Sequence, residues 1–149
     1  MSDIVSLEQI RAKNAFAAAN DKKNYVFAGR EDGKSVAKKV PVQIIQNGFL
    51  GALAFACETK KDKQKPQNGD SAKQPPPKNP GHHAVFRAII AHLSTIGADF
   101  GIGNVEPDAF LEALAQRDAS VLRAVTAEAL AYLSYLRRFA HGDKEAEND

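Results

Sequence analysis

Cysteine, methionine and tryptophan are almost absent from this sequence, with one, one and none in 149 residues, and aromatic residues make up only 7%. Cys57, the only cysteine, cannot form a disulfide within the chain. We interpret it as a small apolar core residue in a reducing compartment. Few aromatic and many alanine residues favour closely packed helices over a β-sandwich or barrel. We therefore predict one all-α domain over residues 1–149, a compact bundle of five or six helices.

Long hydrophobic runs are also lacking. No stretch approaches the roughly eighteen apolar residues of a membrane span, and the start MSDIVSLEQI has no secretory signal pattern. We expect a cytoplasmic protein that does not contact a membrane. The net charge of +2 is too small by itself to indicate a nucleic-acid-binding protein. Four carboxylates against Lys144 predict an acidic tail over residues 143–149.

Catalytic and metal-binding patterns are missing as well. None of the four histidines has a cysteine or carboxylate at ligand spacing. The sequence has no phosphate-binding P-loop, and its G-x-G at Gly101–Gly103 follows a predicted helix, not a strand. We predict no catalytic residue, no metal, no cofactor and no small-molecule substrate, hence no enzyme. The opposite hypothesis, a hidden enzyme site, would require a pocket with convergent polar groups.

The first half of the chain predicts three helices. Ser6 to Gln9 has the form of a capping box, which predicts a helix to about Asn20. Its predicted apolar face comprises Leu7, Ile10, Ala15, Phe16, Ala18 and Ala19. Residues 25–34 are expected to be a loop. A second helix begins near Ser35, where Pro41 should force a kink or a new first turn. Asn47-Gly48 predicts a break, and Phe49–Lys60 a third helix.

The second half begins with residues 61–80, which contain no large apolar residue. We predict a flexible Pro/Lys-rich insertion, either a solvated linker or a basic arm that reaches along RNA. A helix from His83 to about Ile96 follows, and Pro107 begins the next. Asp118 or Ser120 can cap the last helix, residues 119–140. Its apolar stripe comprises Leu122, Val125, Ala129, Leu133, Leu136 and Ala140.

Basic residues recur at the ends and rims of these helices. Such residues are usually solvated surface, and the alternative is a shared phosphate-binding groove. The candidates for contacts with RNA phosphates are Arg11, Lys38, Lys39, Lys60, Arg137 and Arg138.

Three segments resemble the small subunit of type III-B CRISPR (Cmr) complexes. The stretch 35–60 has a basic pair, a proline, an isoleucine, an N-G turn and an L-A-F helix ending in lysine. These are Lys38, Lys39, Pro41, Ile44, Asn47, Gly48, Leu53, Ala54, Phe55 and Lys60. The stretch 122–140 has the threonine, E-A-L and basic pair of the family's last helix: Thr126, Glu128, Ala129, Leu130, Arg137 and Arg138, followed by Phe139 and Ala140. Arg11-Ala12 matches an R-A near the family's N-terminus.

The sequence departs from the family pattern at Phe49, where leucine is usual after the N-G turn. The interval from Tyr25 to Pro41 is longer than in the family pattern, and the insertion has no counterpart in it. The resemblance therefore spans about two thirds of the chain.

The resemblance implies a helical, non-catalytic subunit that stacks with further copies of itself and with other Cmr subunits along a guide RNA. Basic side chains would contact the guide and target RNA, while other subunits cleave. The competing hypothesis is a helical protein–protein scaffold or dimerisation module with no RNA role.

Overall fold

Six α-helices, in a computed structural model that describes residues 5–21, 33–60 and 76–140, make up the fold. They are α1 (Leu7–Ala19), α2 (Gly33–Asn47), α3 (Phe49–Ala56), α4 (Pro80–Thr95), α5 (Pro107–Ala115) and α6 (Ala119–Phe139). The described ranges contain no strand, only an isolated bridge between Thr59 and Pro77. The prediction of an all-α fold is confirmed. Of the loop predicted at 25–34, residues 25–32 lie outside the described residues, while Gly33 and Lys34 belong to α2, where the prediction is wrong. Of the insertion predicted at 61–80, residues 61–75 lie outside the described residues, as does the acidic tail, while Pro80 already begins α4.

Local sequence signals set most helix ends where they were predicted. The Ser6 hydroxyl accepts the Gln9 N–H at 3.2 Å, and Gln9 Oε1 accepts the Ser6 N–H at 2.8 Å. Both bonds of the predicted capping box are therefore present. Asp118 caps α6, as predicted. Gly48 separates α2 from α3 at φ 85°, a conformation that glycine adopts without steric cost.

The second helix continues through Pro41, so the predicted new first turn is wrong, while the alternative of a kink stays a prediction. A proline inside a helix removes one backbone hydrogen bond and crowds the preceding turn. Nevertheless α2 is one helix from Gly33 to Asn47, and Pro41 does not divide it. The buried positions of α2 are Val36, Ala37, Val40 and Ile44. Their burial on both sides of Pro41 explains how packing holds the helix together across it.

The core is centred on α4, which contacts each of the other five helices. Its fully buried residues include Val85, Phe86, Ile89, Ile90 and Leu93. The rings of Phe49 and Phe86 meet edge to face, with centroids 5.5 Å apart. Phe110 and Leu114 of α5 complete this side of the core. Apolar packing of this kind is the main favourable term in the stability of a small domain.

Helix α3 ends at Ala56, with Cys57 as its C-cap, and the segment after it is not helical. The prediction that this helix continues to Lys60 is therefore wrong. Instead, the Lys60 N–H donates to the Pro76 carbonyl at 3.0 Å, and the Lys78 N–H donates to the Glu58 carbonyl at 2.8 Å. These two bonds bring together the ends of the segment that leads from α3 to α4.

Candidate functional site

Lys38 and Lys39 lie on the exposed side of α2, opposite its buried residues. A helix turns by about 100° per residue, so this side also carries positions 42 and 45. Val42 and Ile45 are 51% and 71% exposed. The outer side of α2 therefore combines two ammonium groups with two aliphatic side chains.

Arg137 and Arg138 occupy the last turn of α6, and both are exposed. Cations at a helix C-terminus are favoured by the helix dipole, so their position needs no ligand to explain it. Helix α2 packs against α6, which brings the element carrying Lys38 and Lys39 next to the one carrying the two arginines. Four of the six predicted RNA-binding residues therefore lie on two adjacent helices.

Lys60 lies on the bridged segment after α3, not on a helix. Its side chain is exposed, and its backbone N–H is engaged in the bond to Pro76. Helix α3 contacts α2, so this lysine follows an element that neighbours Lys38 and Lys39.

The guanidinium of Arg11 is bound within the protein. Its Nε donates to Glu128 Oε2 at 2.8 Å, and a terminal nitrogen donates to Glu128 Oε1 at 2.7 Å. The hydrogen bonds to Glu128 raise the pKa of Arg11 above its ordinary value. This bidentate ion pair connects α1 to α6. Its geometry gives Arg11 a structural role, while contact with RNA stays a prediction.

Glu128 is the centre of a buried polar cluster that joins three helices. His92 Nε2 of α4 lies 2.9 Å from Glu128 Oε2, and His92 Nδ1 lies 2.9 Å from Asn14 Nδ2 of α1. The amide nitrogen of Asn14 can only donate, so Nδ1 accepts and Nε2 carries the proton that is donated to Glu128. The Tyr132 ring stacks on the imidazole of His92, with the two ring centroids 4.4 Å apart.

The charges in this cluster follow from burial and pairing. Burial alone would raise the pKa of the Glu128 carboxyl, but the hydrogen bonds from Arg11 and His92 outweigh it and lower that pKa below its ordinary value. Burial lowers the pKa of His92 despite the hydrogen bond to Glu128, and the Arg11 charge acts in the same direction. The cluster therefore pairs an ionised carboxylate with a guanidinium and a neutral imidazole.

A cavity of about 240 Å³ lies beside this cluster. It is lined by Asn14, Ala17, Ala18, Asp21, Ala88, Ala91, His92, Thr95 and Tyr132. Both ring nitrogens of His92 are already occupied by Asn14 and Glu128. The histidine that borders the cavity is therefore committed to the fold and is not positioned to transfer a proton to a ligand.

The patterns in the sequence did not predict this cluster. They indicated His92 only as a possible metal ligand and Glu128 only as part of the family pattern. A usable signal was present: Glu128 is one helical turn from Val125 and from Tyr132, so it falls on the apolar side of α6. A carboxylate at such a position requires a buried partner.

Two other kinds of side chain bear on possible chemistry: the Cys57 thiol and the residue types that bind metals. Burial raises the pKa of the Cys57 thiol to about 11, with a contribution from the charge of Asp108, so the thiol is protonated at neutral pH. In the described part of the chain, no three histidine, cysteine or acidic side chains come together as possible metal ligands. Within the same residues, no helix is both long and apolar enough to cross a membrane.

One family model matches the chain. It is described as CRISPR-associated protein (Cas_Cmr5), and it matches residues 7–143, a range that includes all six predicted RNA-binding residues. No match to the chain was found among curated proteins or among solved structures.

Proposed function

The chain belongs to the CRISPR-associated Cas_Cmr5 family, the small subunits of type III-B (Cmr) effector complexes, and from this premise we propose that it is a non-catalytic subunit that contacts RNA. In this proposal it binds the phosphates of guide and target RNA through exposed cations. Base pairing between the two RNA strands would supply the sequence recognition, and other subunits would supply the cleavage.

The observation that carries the RNA role is the position of Lys38, Lys39, Arg137 and Arg138. All four are exposed, and they lie on two helices that pack against each other. Lysine and arginine contacts to phosphates give binding that is independent of sequence and weakens as salt rises. Lys60 extends the set onto the neighbouring bridged segment.

The outer side of α2 also supports contacts with other subunits and further copies of the chain. Val42 and Ile45 are exposed beside the two lysines, and apolar residues on a surface often mark sites of protein association. The absence of catalysis is supported by the engagement of His92 within the fold and by the protonated state of Cys57.

The test is charge reversal in a reconstituted complex. We expect Lys38→Glu/Lys39→Glu and Arg137→Glu/Arg138→Glu each to weaken binding of target RNA about tenfold and to reduce its salt dependence, because each pair neutralises up to two phosphates. Binding is measured by filter retention at several salt concentrations. The matched control is Lys38→Arg/Lys39→Arg, which keeps both charges and should keep the affinity.

The result also separates the proposal from a pure scaffold. A scaffold would lose incorporation into the complex when α2 is altered, but RNA affinity at equal incorporation would not change. Wild-type RNA affinity in both folded, fully incorporated charge-reversal variants would reject the RNA role.

A further inference from the structure

Phe16 places an aromatic ring on the surface of α1. Helix α1 docks through small residues, and its buried positions are Ala15, Ala18 and Ala19. Phe16 lies on the flank of this docking face and is 59% exposed. It meets Phe139 of α6 edge to face, with ring centroids 5.5 Å apart and ring planes at 88°. Phe139 packs partly against the core, so it lies between the core and Phe16.

Among the residues that the structure describes on α1 and α6, the polar neighbours of this aromatic pair include two cations. Lys13 is exposed and lies three residues before Phe16, on the same side of α1. Asn20 lies four residues after it and is also exposed. Across from α1, Arg138 is exposed and directly precedes Phe139 in the sequence. The surface around Phe16 therefore has a cation on α1 and another on α6.

The nearest carboxylate on α1 is already engaged. Glu8 Oε2 accepts the hydroxyl of Tyr135 at 2.8 Å. That hydrogen bond raises the pKa of Tyr135 above its ordinary value, while the charges of Arg11 and Arg138 act against it. The influence of Arg138 shows that its guanidinium lies close to this flank of α6. The outer side of α1, which carries Gln9, Lys13, Phe16 and Asn20, contains no acidic residue.

From this arrangement we infer that Phe16 and Phe139 form a stacking platform for an unpaired base of single-stranded RNA, with Lys13 and Arg138 binding the adjoining phosphates. Aromatic rings bind bases of any sequence through their faces, and flanking cations follow the backbone. The two cations favour a polyanion over an apolar protein segment as the occupant. This inference rests on the proposed RNA role and shares Arg138 with it, but it uses residues of α1 and α6 other than Lys38 and Lys39.

The test compares aromatic and aliphatic residues at position 16 in the reconstituted complex. Phe16→Leu keeps apolar bulk against Phe139 but removes the aromatic face, and we expect about a fivefold loss of affinity for single-stranded target RNA. The salt dependence of binding should not change, because no phosphate contact is lost. Phe16→Trp should bind as tightly as wild type or more tightly. Lys13→Gln should lower both the affinity and the salt dependence.

The matched control is Phe100→Leu. Phe100 is 44% exposed and lies on the loop between α4 and α5, so its replacement should leave RNA affinity unchanged. Photo-crosslinking with 4-thiouridine in the RNA gives a second measurement, and the crosslinked peptide should contain Phe16 or Phe139. Thermal unfolding of each variant verifies that the comparison is made between folded proteins.

The possible outcomes separate this inference from the proposed function. If Phe16→Leu binds RNA like wild type while Lys38→Glu/Lys39→Glu binds weakly, the stacking platform is wrong and the RNA role stands. If Phe16→Leu fails only to enter the complex, with normal RNA affinity per incorporated copy, the surface is a protein contact and the inference is overturned. If Phe16→Leu and both charge-reversal variants all bind RNA like wild type, both proposals fail.

Discussion

The two sides of α4 are held by different forces. On one side, α4 meets α3 and α5 through rings and aliphatic chains, with Phe49, Phe86 and Phe110 almost completely buried. On the other side, it meets α1 and α6 around the cluster of Arg11, Asn14, His92 and Glu128, and α1 contributes only alanines to the core. The first interface depends on buried apolar area, and the second adds hydrogen bonds among charged and polar groups to the buried apolar stripe of α6.

The difference matters for how precisely each helix is positioned. Apolar contacts have no preferred direction, and cores tolerate exchanges of similar volume. A buried polar cluster, by contrast, is favourable only when every donor and acceptor is paired, so it allows few arrangements. The polar cluster therefore fixes the position of α1 on α6, and with it the contact between Phe16 and Phe139.

The largest expected effect is a large-to-small substitution on the apolar side. Phe86 is fully buried, and Phe86→Ala should lower the free energy of unfolding by about 3–5 kcal/mol, because burial is lost and a cavity remains. Denaturant titration followed by circular dichroism measures the loss. The control is Phe55→Ala, at a ring that is 36% exposed, where we expect a much smaller loss. Equal losses in both variants would contradict the assignment of the core.

Neutralising the centre of the polar side should have the next largest effect. Glu128→Gln keeps the shape but leaves Arg11 without its counter-charge, and the new amide N–H₂ faces a donor, from Arg11 or His92, where an oxygen now accepts. We expect the free energy of unfolding to fall by about 2 kcal/mol. Glu112→Gln, at an exposed position of α5, should change it by no more than about 0.5 kcal/mol. If the two variants are equally stable, the cluster does not hold α1.

The smallest expected effect is a pH dependence that belongs mainly to the polar side. The pKa of His92 is lowered from 6.5 in the folded protein, so below pH 6.5 the unfolded state takes up a proton that the folded state does not. Stability is complete above pH 6.5 and falls with acidification until the folded pKa is reached, at up to about 1.4 kcal/mol per pH unit. The pKa of Glu128 is lowered from 4.5, so it adds a second loss below pH 4.5.

The measurement is the free energy of unfolding between pH 7.5 and 5.5. His92→Gln should reduce the slope in this window without abolishing it, because burial also lowers the pKa of the half-buried His83. Adding His83→Gln should reduce the slope further. A slope that is unchanged in His92→Gln would show that His92 does not titrate differently in the folded and unfolded states.

Local signals in the sequence predicted most of the fold. The capping box at Ser6, the glycine at position 48, the proline at 107 and the cap at Asp118 each act over three or four residues, so neighbours in the sequence are sufficient to read them. The apolar stripe of α6 was predicted nearly in full, although Leu122 is only partly buried. The family was also recognisable from short patterns, and the match over residues 7–143 confirms it.

Predictions failed where residues distant in sequence decide the outcome. The apolar face predicted for α1 included Leu7 and Phe16, yet these are 42% and 59% exposed, while only the alanines are buried. Periodicity shows which residues share a face, but the packing partner determines how much of that face is covered. Of the two alternatives predicted at Pro41, the new first turn is wrong, because residues buried on either side of Pro41 hold α2 together as one helix.

The sequence by itself determined the helices, most of their ends, the all-α class and the family, since these follow from hydrogen bonding within a few residues and from short patterns. The tertiary structure alone decided that Arg11 binds Glu128, that His92 is neutral and enclosed, and that Phe16 meets Phe139. These contacts join residues that are far apart in the sequence. His92 and Glu128 are separated by 36 positions, and Asn14 and His92 are separated by 78. The physical reason is that charge state and exposure depend on the surroundings in space, which are established only when the helices pack.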